Sequence, residues 1–290
     1  MYWLLLLFSI ILAVGKSSLY HTYARNGAPS LNDTFRFNSF SYAVASCVAL
    51  IGLLVSAQAI SAPTVICAFF YATIVVSLQT ISITAMRVGA MSTTSICVMY
   101  GMIIPAVAGP IFWKEKIGIL QIIGIVMMIV SLWLIKEKTP AEEKSITKKW
   151  VVLAVLAFFL SGMAGVMEKI HQSTSAREER MPFVFIACAF MFAFSFVAKC
   201  VTHRKGEKKR VGSLLPLAIV SGFVIGLYST VNLILSGNLD SMIYYPIANG
   251  GAMLLTVLVS VIAFKEKFDK MRVIGTVMGL LGILFLSLPV

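Results

Sequence analysis

About twenty consecutive apolar residues, bounded by a short polar gap and then followed by another twenty, is the pattern that most restricts what this chain can become. It recurs ten times, at about 2–22, 37–57, 63–85, 90–112, 117–135, 150–170, 181–201, 211–235, 241–264 and 271–289. A helix of that length spans the ~30 Å hydrocarbon core of a bilayer. In hydrocarbon every backbone polar group must be satisfied internally, which leaves helices or closed barrels. The sequence predicts an all-α integral membrane protein with ten transmembrane helices. A hydrophobic fraction of 59% and a mean hydropathy of +0.93 exceed what 290 residues can hide in a water-soluble core.

The chain is also written twice. Residues 112–116 read Phe-Trp-Lys-Glu-Lys and residues 263–267 read Ala-Phe-Lys-Glu-Lys, each between two apolar runs. A shift of 151 positions relates them and carries Ile81 onto Asn232, Gly89 onto Asp240 and Glu115 onto Glu266. Further back the shift becomes 152, so that Lys16 meets Glu168 and Ala24-Arg25 meets Ala176-Arg177. A shared shift over this distance marks an internal repeat. The expected organisation is a first five-helix repeat over 1–136, a charged linker over 137–149 and a second five-helix repeat over 150–290. Five spans per repeat force the two copies into opposite orientation, the inverted arrangement of many secondary transporters.

The formal charge of +12 does not indicate a nucleic-acid partner, because the basic residues sit in the gaps between apolar runs rather than on one polar face. Alternate gaps divide the Lys and Arg residues about eighteen to five. The richer side holds Arg25, Arg36, Arg87, the linker lysines, Lys199 with the 204–210 cluster, and Lys265 to Arg272. That bias places the richer side in the cytoplasm and both termini outside, with the 204–210 cluster against anionic lipid. The stretch from Met1 to Val14 has no basic residue ahead of its apolar run, so it reads as the first span rather than a cleaved signal. The five cysteines are scattered singly, without metal-ligand spacing, and read as small packing residues. No metal and no cofactor is expected.

The doubled knot, with Ala85 to Ala90, Pro105, Glu115 and Gly124 in one half and Ser236 to Ser241, Glu266, Gly275 and Gly279 in the other, resembles the drug/metabolite transporter superfamily, in its ten-span EamA-type branch. The resemblance implies a secondary transporter with a central cavity. One departure is that Pro105 aligns with Thr256, while the second half has its proline at Pro246, so the halves are expected to bend differently.

Several polar residues lie inside the spans. Lys16 shares a helical face with Tyr20 and Tyr23, giving one cation and two phenols in a stripe suited to an anionic or zwitterionic solute; the alternative for Lys16 is snorkelling to the surface. Tyr228, Asn232 and Ser236 recur every four residues with Ser229 beside them, a polar face that must meet another helix or a water-filled cavity. Gln79 and Ser82, with Ser77, answer it on the repeat-related span. Tyr245 and Asn249 flank Pro246 and precede Gly250-Gly251, a span expected to break or kink. Tyr100 lies in the equivalent span near Pro105.

Glu168 is a candidate proton-coupling site, with a solvated helix end as its alternative. The charged knots are read as anchors for helix ends. The glycine face of the last span, Gly275, Gly279 and Gly282, would permit close contact within the chain or in a homodimer. The Phe-rich seventh span is expected to face lipid.

These features point to a secondary active transporter of a small organic solute, an amino acid or related metabolite, in the plasma membrane. Its cavity would be lined by spans 1, 3, 4, 6, 8 and 9. An exporter of organic cations is the rival within the class. A membrane-embedded lipid-modifying enzyme is the rival outside it, disfavoured because His21, His171 and His203 fall in three separate connections.

Overall fold

The computed structural model describes residues 2–27, 30–88, 91–135, 147–202, 215–264, 270–286 and 288. Among these there are eleven helices and no strand: α1 (Tyr2–Gly27), α2 (Leu31–Ser56), α3 (Ala62–Val88), α4 (Met91–Tyr100), α5 (Ile103–Trp113), α6 (Ile119–Ile135), α7 (Lys148–Ser173), α8 (Arg180–Thr202), α9 (Leu215–Asn238), α10 (Ser241–Phe264) and α11 (Lys270–Leu286). Six of them, α1, α2, α3, α7, α8 and α9, are long and apolar enough to cross a membrane. The helices α6 and α11 have 17 residues each, about 25 Å at 1.5 Å per residue. The second knot, Lys265-Glu266-Lys267, Gly89, most of the linker and the 204–210 basic cluster lie outside the described residues.

Helix ends follow local chemistry. Ser30 and Asp33 form a capping box that starts α2, each side chain holding the other's backbone N–H. Ala57 ends α2 and Lys114 ends α5, both with a positive φ (47° and 54°). That left-handed turn is unusual for residues with a side chain. It makes Lys114, within the first knot, a helix terminator.

Two compact units emerge, and neither is a sequence half. Unit 1 comprises Met1–Ile11, Ser77–Lys169 and Asn238–Val290; unit 2 comprises Leu12–Val76 and Ile170–Gly237. Each is assembled from corresponding pieces of both repeats.

In unit 2, α2 packs along α8. Asn32 donates to the Lys199 carbonyl at 2.7 Å and to Thr202 at 3.1 Å. At the other end, Gly52 lies against Met181. One index rises as the other falls, so these repeat-related helices run antiparallel. The seventh span was expected to face lipid; instead α8 is two-sided. Phe183, Val184, Cys188, Met191 and Ser195 are buried, while Phe192, Phe196 and Val197 are exposed. Counting aromatics on α8 misses this because phenylalanine falls on both faces, Phe183 on the buried one and Phe192 and Phe196 on the exposed one. Helix α9 approaches α2 through Gly222 and Gly226, where a Cβ would meet the Ser41 carbonyl and Val48 respectively. This is the small-xxx-small spacing that membrane helices use for close approach.

In unit 1 the leading pair is α6 with α11, and its contacts are reciprocal. A Cβ at Gly124 would lie 2.9 Å from the Gly282 carbonyl, and one at Gly282 would lie 3.0 Å from the Gly124 carbonyl. The Ser131 hydroxyl donates to the Gly275 carbonyl at 2.7 Å. Under the shift of 151, Gly124 becomes Gly275 and Ser131 becomes Gly282, so the two contacts are images of one another. Likewise Ser131 against Gly279 is the image of Met128 against Gly282. The pair is antiparallel about a local pseudo-twofold, as an inverted repeat requires. The glycine face of α11, left open by the sequence to internal or intersubunit contact, is therefore used within unit 1.

The bend falls in a different span from the one expected. Span four divides into α4 and α5: Gly101 and Met102 donate to the third carbonyl back, and Ile104 takes the Gly101 carbonyl at 3.0 Å. Pro105, lacking an N–H, cannot supply the ordinary bond to that carbonyl. The span with Pro246, Gly250 and Gly251 was expected to break, yet α10 is continuous. Its proline sits little more than one turn inside the start. The two glycines serve contact instead, with Met128 and Ile10 occupying the space where side chains would be.

Candidate solute-binding site

The residues singled out by the sequence are shared between the two units. Lys16, Tyr20, Tyr228, Ser229 and Asn232 belong to unit 2; Gln79, Ser82, Tyr100, Glu168, Tyr245 and Asn249 belong to unit 1.

In unit 2, Lys16 on α1 places its Nζ 3.9 Å from the centre of the Tyr228 ring on α9. Such a contact contributes roughly 0.5–2 kcal/mol, more as water is excluded. Among the described residues, Lys16 has no carboxylate partner. One turn along α1, Tyr20 meets the edge of Phe37 at 5.8 Å and shares a hydrogen bond with Tyr42, while Tyr23 stacks on Phe37 at 4.0 Å. These aromatics, closed by Ala218, fix the α1 stripe against α2 and α9. One turn past Tyr228 on α9, Asn232 is buried, and Ser236 beyond it donates to the Leu233 carbonyl.

Further polar groups, which the sequence reading missed, lie deeper in unit 2. Asn38 is only 1% exposed, and among the described residues neither its amide nitrogen nor its amide oxygen has a hydrogen-bond partner; the hydroxyls of Ser41, Ser195 and Ser221 are also buried and unpartnered there. Antiparallel register between α2 and α8 sets Asn38 level with Ser195. Unsatisfied buried polar atoms cost about 1–3 kcal/mol each, so this group has unused bonding capacity.

The unit 1 residues are largely tied to backbone. The Tyr100 hydroxyl donates to the Ile129 carbonyl at 3.0 Å, and Tyr245 donates to the Gly165 carbonyl at 2.6 Å. Asn249 donates to the Tyr245 carbonyl on its own helix. Gln79 and Ser82 are half-buried on α3. Glu168 is 7% exposed, which replaces the solvated helix end considered from sequence with a buried carboxyl.

The first knot makes a specific contact. Glu115 accepts the Ser241 amide at 2.8 Å and its hydroxyl at 3.1 Å, and pairs with Lys169 at 2.8 Å; their side chains are 6% and 12% exposed. Lys169 also donates to the Leu239 carbonyl. Burial and the Glu115 charge raise the neighbouring Asp240 carboxyl above its ordinary value, partly offset by Lys169.

A second such cluster, in unit 2, had no counterpart in the sequence reading. Glu179 accepts the amide and hydroxyl of Ser61, both at 2.9 Å, and the hydroxyl of Thr64 at 2.6 Å. Burial pushes the Glu179 carboxyl upward, but the Thr64 and Ser61 donors, with the nearby His171, together hold it below its ordinary value. Since Thr64 donates to Glu179, it accepts from Nε2 of His171 at 3.2 Å, and Nδ1 accepts from Gln172 at 3.0 Å. Gln172 in turn accepts from Arg180. His171, placed in a connection from sequence, is fully buried within α7. The available signal was the Ser61-x-x-Thr64 spacing ahead of an apolar run, a helix-start pattern. Among the described residues no group of three His, Cys, Asp or Glu is placed to hold a metal ion.

Residues 148–288 match the EamA-like transporter family. The second half of the chain belongs to that family. The match spans α7 to α11, the second sequence repeat from its first helix to its last. The chain is thus a multi-pass membrane protein whose second half carries an EamA-like domain, and that family supports a membrane transporter of the drug/metabolite type. A crystal structure described only as that of a protein has the same fold, with a TM-score of 0.78 at 13% identity, covering 98% of this chain and 95% of that one. No curated protein matches the chain by sequence.

Proposed function

We propose that this EamA-type protein is a secondary active transporter that moves a small organic solute bearing a carboxylate or phosphate, such as an amino acid, across the plasma membrane by alternating access. The observation that carries the reading is Lys16. It is a lysine within a membrane-spanning helix whose ammonium lies over the face of Tyr228 and has no carboxylate partner among the described residues. A charge so placed is costly unless something compensates it, and an anionic group on the solute would supply the missing counter-charge. Tyr20, Ser229 and Asn232, with the unsatisfied Asn38, offer the hydrogen bonds that would recognise the rest of the molecule. Within unit 1, taken by itself, Tyr100, Tyr245 and Asn249 act by positioning backbone, and Gln79 and Ser82 are its polar lining. Glu168, buried in α7, is the proposed proton-coupling group. The Lys and Arg distribution supports termini outside.

The test is thermal stability of the purified protein against amino acids, nucleotides, sugar phosphates and organic cations. A ligand at 100 times its dissociation constant adds about 2.7 kcal/mol to the folded state. An anionic or zwitterionic solute is expected to raise the melt, Lys16→Ala to abolish that rise, and Tyr228→Leu to weaken it. A rise with organic cations alone would overturn the assignment. It would favour the second reading, a cation exporter using Glu168, whose burial is the observation in its favour.

A further inference from the structure

Unit 1 contains an apolar crevice of about 510 Å³ between α4, α6 and the start of α7, walled by Cys97, Tyr100, Ile129, Trp133, Trp150 and Val151 among others. The polar atoms on its walls are already used: the Tyr100 hydroxyl on the Ile129 carbonyl, and the Trp150 indole N–H on Thr94 at 2.9 Å. What remains is a slot of hydrocarbon and ring faces beside the Gly101-Met102 break, cut into helices that lie in the membrane. Among the described residues, charge near this end of the slot comes from two lysines. Lys148 and Lys149 open α7, both exposed, about one turn before Val151 on the wall.

We propose that this crevice binds an anionic phospholipid, with one acyl chain in the slot and the headgroup phosphate on Lys148 and Lys149. Only an amphiphile satisfies both ends of the site. An apolar solute would leave the lysines unused, and a soluble anion would leave the slot empty. The linker that joins α6 to α7 at this end is a poor occupant, because residues 136–146 are mostly charged or polar.

The experiment uses the full-length protein with Trp3, Trp113 and Trp133 changed to Phe, so that Trp150 alone reports, reconstituted in vesicles. Lipids brominated on the acyl chain quench a tryptophan they touch. Each lysine near a membrane surface attracts anionic lipid by an amount equivalent to roughly fivefold in occupancy. Brominated phosphatidylglycerol is therefore expected to quench Trp150 at a mole fraction at least fivefold lower than brominated phosphatidylcholine. The double change Lys148→Glu with Lys149→Glu, both at exposed positions, should bring the two curves together. Val155→Phe, which fills the slot from an exposed wall position, should reduce quenching by both lipids. Coincident curves in the parent protein would reduce the crevice to ordinary boundary lipid and overturn the proposal. Quenching that Val155→Phe leaves unchanged would also overturn it, since the chain would then lie elsewhere.

Discussion

Glu115 and Glu179 do the same local task in different units. Each stands in a short connection and accepts the backbone N–H of a serine at a helix start, Ser241 for α10 and Ser61 for α3. They differ in how the carboxylate is compensated. Glu115 is paired with a nearly buried lysine. Among the described residues Glu179 has no ion pair; two hydroxyls and an amide serve it, backed by a histidine whose two ring nitrogens are both satisfied. A charge pair and a carboxylate held by hydroxyl and amide donors thus cap two helices alike. They should fail differently, because losing one member of a buried pair strands a charge, whereas losing one member of a network strands only dipoles.

The largest effect expected is that of Glu115→Ala, which takes the ion-pair carboxylate away from the nearly buried Lys169 and costs up to about 3–5 kcal/mol. The thermal melt in detergent measures it. Glu115→Leu combined with Lys169→Met should recover most of the loss, since the stranded charge goes too. If the double variant melts as low as the single one, the capping bonds to Ser241 outweigh the ion pair and the contrast collapses.

Glu179→Ala should cost less, about 1–3 kcal/mol, and a second change at His171 should add little, because the network is already cut. Equal losses at Glu115 and Glu179 would mean that capping alone sets the value.

The smallest effect is in pH dependence, and here two acids part in sign. Glu179 is held below its ordinary value, so its contribution is present above the unfolded value of about 4.3 and is lost as pH falls through the lower folded value. Asp240 is raised, so the folded state binds its proton more tightly; stability from this group is greatest in acid and falls as pH climbs from about 3.9 to the folded value. Melts followed from pH 7 to pH 3 should lose their acid decline in Glu179→Gln. In Asp240→Asn the slight gain near pH 4 should disappear.

The sequence carried the helices well and their partners poorly. Long apolar runs place α1, α2, α3, α7, α8 and α9 within a few residues of their observed ends at most boundaries, because crossing a bilayer is a local demand on length and hydropathy. The break at Gly101, four residues before Pro105, was not read from the sequence. Pro246 suggested one that is absent, because whether a helix tolerates proline depends on what packs around it. Glu115 was legible as a helix-end residue, but its partner Lys169 lies 54 positions away with no periodicity to connect them. The Gly222-x-x-x-Gly226 spacing was in plain view; its meaning required knowing that α2 lies opposite. For the site, Lys16 and Tyr228 were each visible as intramembrane polar residues. Their meeting is a tertiary fact.

The reciprocal seam between α6 and α11 bears on how the chain could be divided. Each repeat supplies one lip of that seam, and each compact unit draws helices from both repeats. A polypeptide ending at Ile135 would therefore carry its glycine and serine facing nothing, and one beginning at Lys148 would leave its glycines uncovered. Cut at the linker and co-expressed, the two fragments should reassemble through surfaces already matched to each other, while either fragment made alone should be cleared by the cell's proteases.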